Sequence, residues 1–498
     1  MSGQSSYILA IDQGTTGTTA LIVDSSLRVV GRGYQSFEQF YPASGHVEHA
    51  LNLIWQSLCA AVTQAITTAG ILRTSILAIG ITNQRETVAC FDRQGQSLHH
   101  ALVWQDRRTY DLCELLKSQG YESMIQARTG LLLDPYFSAT KMAWFLRHIP
   151  DLTQKMASSK VLMGTIDTYL IYMLTGKKTY VTDPSNASRT LLFNIHKGCY
   201  DQDLCALFGI DPVWLPQVMF SNQCMGETQG LDILPDGIPI LSLLGDQQSA
   251  LFGQGCHERG SLKCTYGTGA FLMLNTGEKV VSSLHRLLST IAWQWVGQKK
   301  PVYALEGSAF IAGALIQWLR DGLGIIQQVE EIESLASSVT DSQGVLCVPA
   351  LTGMGAPYWR PDVRGTITGL HRGISRAHIA RACLEGVAHQ ICDIVDAMNL
   401  DINDTIQSMR VDGGMAKNRT FLQIQSDLLG IPLTKQVHVE ATAMGVAMVA
   451  GLNCGLWNQK DIEEWAHLTT EIIYPQMERT HAQAQRQAWT QQMDQLCS

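Results

Sequence analysis

Three short apolar runs open the chain: YILAID, TTALIVD and VVGRGYQSF. Each is rich in β-branched and aromatic residues and ends in turn residues, a spacing that predicts an antiparallel meander. The period then changes. Leu51, Ile54, Leu58, Val62, Ala65 and Ile66 fall on one face, predicting a helix over about 50–69 that Gly70 stops. ILAIGIT (76–82) is almost wholly apolar and reads as a buried strand, with ETVACFD (86–92) as its pairing partner. Residues 105–235 carry a mainly helical pattern. IPILSLLGD (238–246) is another buried strand, ending in Gly-Asp, and SLKCTYGTGAFLMLN (261–275) is strand, Gly-Thr turn, strand. The opening form therefore occurs twice, about 250 residues apart, which predicts two related halves with a boundary near 246–260, here taken as 1–253 and 254–498. Further on, helices are expected at about 307–322 and 376–399. LDINDTIQSMRVDGG reads as a strand running into a Gly-Gly turn, followed by a helix from Asn418 to Leu429 stopped by Gly430.

Composition narrows the class. With 498 residues, 46% apolar and 16% charged, the chain has material for a large core, and length alone suggests about three domains. Net charge is −8 and no basic run occurs, so nucleic acid and anionic membrane gain no support as partners. The 13 cysteines show no CxxC spacing and read as reduced thiols of a cytoplasmic protein. The N-terminus MSGQSS lacks the cationic and apolar regions of a secretion signal, and AMGVAMVAG (443–451) falls far short of the roughly 18 residues of a spanning helix.

The Gly- and Thr-rich turns carry the candidate chemistry. Phosphate oxygens need several N–H and O–H donors converging on one point; glycine lets backbone approach, and a nearby acid can hold Mg²⁺. Asp12, Gly14, Thr15 and Thr16 supply this set once, and Thr265, Gly267, Thr268 and Gly269 supply donors again. In VDGGMAKN (411–418), Gly413 and Gly414 precede a helix N-terminus. Taken singly, the first turn is equally a plain hairpin and the third a simple strand-to-helix loop. Three such turns at strand ends favour nucleotide binding. No GxxxxGK[ST] and no GxGxxG occurs, which excludes a P-loop or a Rossmann dinucleotide site.

The three-turn arrangement resembles the actin/hexokinase/Hsp70 ATPase superfamily. Within it, GITNQRET (80–87), VWQDRR (103–108), YFSATKMAWF (136–145), TDPSNASRTLLFNI (182–195), GDQQSALFGQ (245–254), TYGTGAF (265–271), GAPYWRPDVRG (355–365), GTITGLHRGISRAHIARACLE (365–385) and VDGG (411–414) are similar to the glycerol kinases of the FGGY carbohydrate kinase family. The resemblance runs from about residue 7 to 457. It implies an α/β fold of two duplicated ribonuclease H-like (actin-like ATPase) domains around a central cleft, and ATP-dependent, Mg²⁺-assisted phosphorylation of glycerol. ATP would lie mainly on the second half and glycerol mainly on the first, in a homodimer or homotetramer.

Asp246, at the end of a buried strand, is the candidate general base and a possible neighbour of Mg²⁺; strand-end Asp also commonly caps a following helix. Arg85 and Glu86 together suit a diol, one donating and one accepting, although an exposed ion pair in a turn is the ordinary use of such a dipeptide. The resemblance implies Tyr136 as a hydroxyl partner, Trp104 and Phe271 as the apolar wall, and Gln247 beside the acceptor; isolated aromatics would otherwise read as core. It further implies Thr15, Thr16, Gly14, Gly267 and Thr268 at the phosphates, Gly313, Gln317, Gly414 and Asn418 around the nucleotide, and Asp12 with Asp246 near Mg²⁺. Asp106 receives no role. Two alternatives stay open: a kinase of another small polyol or sugar, and an ATP-binding sensor without transferase activity.

The chain departs from the family in places. Thr19 stands where bacterial members often carry an Arg near the phosphates. The C-terminal segment EIIYPQMERTHAQAQRQAW (471–489) differs from the segment that docks the phosphotransferase-system regulator. Enteric members bind fructose 1,6-bisphosphate through a Gly-rich loop and a downstream Arg, whereas GLDILPDGIPI (230–240) offers Gly237 where a cation is needed. We therefore expect initial rates to be unchanged across a titration with fructose 1,6-bisphosphate; an ordinary inhibition curve would contradict this.

Overall fold

The structure, a computed structural model, describes residues 6–436, 440–468 and 470–497. Two sheets organise it. In the first, Tyr7–Gln13, Gly17–Asp24 and Val29–Ser36 form the expected antiparallel meander. Ile76–Asn83 adds parallel to Tyr7–Gln13, and Ile240–Gly245 adds parallel to Ile76–Asn83. The second sheet repeats this order and sense. Leu262–Tyr266, Ala270–Gly277 and Val302–Ala309 are its meander, and Met409–Gly413 and Leu433–Gln436 its parallel additions. Leu288–Trp293 extends one edge and Thr470–Ile473 the other. Parallel strands demand cover on both faces, which explains why ILAIGIT and ILSLL are nearly unbroken apolar runs. The helix Leu51–Ala69 supplies part of that cover with the predicted stripe buried, and Gly70 ends it in the left-handed region at φ 63°.

The two sheets are joined by a pair of crossing helices, Asp246–Gly253 and Ala441–Asn453. Their backbones touch. A Cβ on Gly445 would lie 2.0 Å from the Ser249 carbonyl oxygen, and one on Gly253 would lie 2.0 Å from that of Ala441. Ser249 Oγ donates to the Thr442 carbonyl at 2.6 Å, and Ser242 Oγ to that of Val446 at 2.9 Å. The run AMGVAMVAG is thus a helix buried against the first sheet, sharing a core with Ile8, Ala10, Leu244 and Leu251. Among the described residues no helix is long and apolar enough to cross a membrane.

Three expectations are corrected. Val88–Asp92 does not pair with Ile76–Asn83; it joins a separate five-stranded sheet, beside Ala101–Leu102 and Val161–Thr165. The chain turns away between them, with Glu86 at φ 61° and the Thr87 N–H closing on the Arg85 carbonyl at 2.7 Å. The segment from residue 307 does not start a helix: Val302–Ala309 is a strand held on both edges, and the helix covers only Gly313–Asp321. Finally, Arg376–Ile402 is helical throughout, so the following strand is only Met409–Gly413.

Gly445→Ala should lower the thermal midpoint, because a methyl group has no room between touching backbones; overpacking of this kind costs about 1–3 kcal/mol. A midpoint unchanged in scanning calorimetry would contradict the close crossing.

Candidate active site

Side chains at strand ends of the first sheet meet side chains of the second: Arg85 binds Glu306, and Gln247 binds Lys263. In the first turn, pairing stops at Gln13 and Thr18, and the Gly14 N–H closes the bend on the Gly17 carbonyl at 2.9 Å. Thr15 is half-buried and Thr16 exposed. Trp104 Nε1 donates to Thr15 Oγ1 at 2.9 Å, which leaves the Thr15 proton free to point elsewhere. In the second turn the Gly267 N–H reaches the Gly269 carbonyl at 2.8 Å, while Ala312 and Gly313 donate to the Thr268 and Gly267 carbonyls at 2.8 and 3.0 Å. These bonds fix the turn to the start of the Gly313–Asp321 helix.

Gly267, Thr268, Gly313, Gln317, Gly414 and Asn418 line one cavity of about 420 Å³. Residues from three separate segments thus meet as a set. Its walls include Ile316, Val329, Ile332 and Met415, apolar enough for a flat ring. Asn418 also caps the following helix, accepting from the Phe421 N–H at 2.8 Å. Asp12, Gly14, Thr15 and Thr16 do not line this cavity; Thr15 instead meets Trp104, and Asp12 lies close enough to Asp246 to feel its charge.

Pairwise contacts link the residues expected to bind the polyol. Asp246 is the first residue of its helix. Its Oδ1 accepts from the Gln247 N–H at 2.7 Å and lies 3.0 Å from Arg85 Nε, while the side chain stays 30% exposed. Trp104 stands edge-on to Tyr136 and to Phe271, with ring centroids 5.6 and 6.3 Å away. Arg85 and Glu86 are buried, which removes the reading as an exposed turn pair. Nor are they mainly paired with each other, their closest approach being 3.9 Å. Arg85 instead grips Glu306 with both terminal nitrogens, at 2.6 and 3.0 Å, and Glu86 accepts from Arg189 Nε at 2.6 Å. Asp106 is structural: it binds Arg108 and accepts from the Val47 N–H.

Glu306, Arg189 and Lys263 were not singled out from the sequence. Lys263 is buried on Leu262–Tyr266 and donates to Gln247 Oε1 and to Thr265 Oγ1. An ammonium only donates, so it holds the Gln247 amide with its oxygen inward. The available signal was a lone charged residue within an apolar strand, as in VYALEGSA and SLKCTY.

Electrostatics follow from this packing. Burial, with the Asp246 and Glu440 carboxylates adding repulsion, pushes the Asp12 carboxyl up to about 8. Burial would also raise Glu306, but the Arg189 and Arg85 guanidinium groups outweigh it and hold the carboxyl down to about 2. For Glu86, burial outweighs the same two cations and the carboxyl is raised.

Residues 7–253 match the N-terminal domain, and residues 262–454 the C-terminal domain, of the FGGY family of carbohydrate kinases; the chain belongs to this family, with its duplicated actin-like ATPase fold. Among curated relatives, the glycerol kinase of Bdellovibrio bacteriovorus is 50% identical over 461 residues, 92% of each chain, and that of Myxococcus xanthus 48% identical over 472 residues, 95% of each. The crystal structure of Plasmodium falciparum glycerol kinase with ADP superposes with a TM-score of 0.92 at 34% identity, covering 99% of this chain and 98% of that one. The gluconate kinase of Lactobacillus acidophilus, at 19% identity and a TM-score of 0.88 over 99% of both chains, shares the fold.

A carboxyl raised in the folded state binds protons there that the unfolded chain has already lost. The contribution of Asp12 to stability therefore falls as pH rises from 3.8 to about 8, and the change ends once folded Asp12 ionises. Measured without divalent cations, the thermal midpoint of Asp12→Asn should gain on the parent progressively across that window and no further above it. A difference independent of pH would contradict the crowding of carboxylates at Asp12.

Proposed function

We propose that the chain transfers the γ-phosphoryl group of ATP to glycerol, giving sn-glycerol 3-phosphate, in a cleft between halves that divide near residue 253. The observation that carries this reading is the Asp246 carboxylate. It follows a buried strand, is 30% exposed and lies 3.0 Å from Arg85 Nε, which supports a base open to an acceptor hydroxyl.

The aromatic edges cover the carbon chain of glycerol, while Arg85, Glu86, Tyr136 and Gln247 meet its hydroxyls. Thr15, Thr16 and Thr268, with the backbone of Gly14 and Gly267, donate to the phosphate oxygens. Gly313, Gln317, Gly414 and Asn418 surround the nucleoside. Asp246 takes the proton of the attacking hydroxyl as the new O–P bond forms and the bond from phosphorus to ADP breaks. Asp12 and Asp246, two neighbouring carboxylates beside the first turn, would hold Mg²⁺, which would neutralise charge on the phosphates. Closure of the halves excludes water as a competing acceptor.

A cytoplasmic location fits the 13 free cysteines. The assembly we propose is a homodimer or homotetramer, with no nucleic acid partner and no integral membrane segment.

Asp246→Asn should reduce turnover by about 10²–10⁴-fold, the usual contribution of a general base, while calorimetry still detects glycerol binding. Near-normal turnover would remove Asp246 from the base role.

A further inference from the structure

We infer that Glu306, a residue of the second half, positions the acceptor-binding side chains of the first half by holding Arg85 and Arg189 together. The inference rests on the glycerol-kinase reading of the site and goes beyond it.

Glu306 lies mid-strand in Val302–Ala309, opposite Met273 on one side and Leu288 on the other, and is 1% exposed. A lone carboxylate there would be strongly destabilising. Three charge-assisted bonds offset that cost. Oε2 accepts from Arg85 Nη1 at 2.6 Å, and Oε1 accepts from Arg85 Nη2 and Arg189 Nη2, each at 3.0 Å. Arg189 then passes its Nε–H to Glu86 at 2.6 Å. The charges run as a chain: Asp246, Arg85, Glu306, Arg189, Glu86. Its two ends are the carboxylates placed at the acceptor, and Glu306 is its middle.

The geometry has two consequences. With both terminal nitrogens on Glu306, Arg85 turns only its Nε edge to Asp246, at 3.0 Å and outside hydrogen-bonding alignment. The guanidinium therefore does not form a two-bond fork with Asp246, which leaves that carboxylate free to take a proton. Second, the Arg189 guanidinium lies 5.7 Å from the Tyr136 ring centroid and 5.3 Å from that of Phe137, so its placement also fixes Tyr136. Without Glu306, Glu86 would be the one buried carboxylate left against two buried guanidinium groups. Arg85 would swing onto Asp246, and Arg189 would lose its second anchor. The nucleotide cavity is lined by none of these residues. Loss of Glu306 should therefore fall on one substrate.

The test is Glu306→Gln, assayed with each substrate varied against saturating amounts of the other. We expect the glycerol KM to rise at least tenfold while the ATP KM stays within twofold, and Glu306→Asp, which keeps the charge on a shorter arm, to fall between Gln and parent. A glycerol KM within twofold of the parent, or an equal rise in both KM values, would overturn the inference. Should Glu306→Gln not fold, Arg189→Lys is read the same way, because lysine cannot bridge Glu86 and Glu306 at once. The parent serves as the separating control. A parent showing no glycerol dependence defeats the functional reading itself, whereas a glycerol-dependent parent with indifferent variants defeats only the role of Glu306.

Discussion

Everything functional in this molecule depends on two helices meeting backbone to backbone. Asp246–Gly253 follows the last strand of the first sheet, and Ala441–Asn453 follows the parallel strands of the second. They cross where Gly253 and Gly445 leave no side chain between them. The contact brings equivalent ends of two like sheets to face each other. Strand ends are where backbone N–H groups and turn hydroxyls are free, so the facing ends become a cleft rather than a second core. Asp246 owes its position to this crossing, since it begins one of the two helices.

Beside the partly exposed Asp246 lies a cluster of buried charge. Four buried charges, Arg85, Glu86, Arg189 and Glu306, balance to zero within one connected set. An apolar cluster of the same volume would be at least as stable. What the charged set adds is direction. Each guanidinium has a fixed fork and each carboxylate a fixed pair of acceptors, so few arrangements satisfy all four. Lys263 does the same for Gln247 and the second turn. The pocket is therefore pre-organised by groups that do not themselves face the solvent.

Much of this was legible in the chain because it is local. The meander, the Leu51–Ala69 helix, the Gly-Asp strand end and the repeated Gly-Thr turn each show themselves within about twenty residues, by period and turn chemistry. The long ordered motifs gave the family. What escaped was non-local. Glu306 sits 221 residues from Arg85, and nothing in VYALEGSA says which cation neutralises it. Val88–Asp92 was misassigned because two adjacent strands normally pair, and the positive-φ bend at Glu86 that separates them leaves no turn residue in the sequence. The helix expected from 307 failed for a related reason. Apolar residues at 302–309 fit either period, and only the partners on both edges decide.

On the proposed reading, nucleotide, acceptor alcohol and carboxylate meet in one cleft, and phosphoryl transfer requires all three. Coupled measurement of ADP release with and without glycerol tests it most directly. ADP should form from ATP and Mg²⁺ only when glycerol is added, one ADP for each glycerol 3-phosphate. ADP release at the same rate without glycerol, or none in its presence, would contradict it.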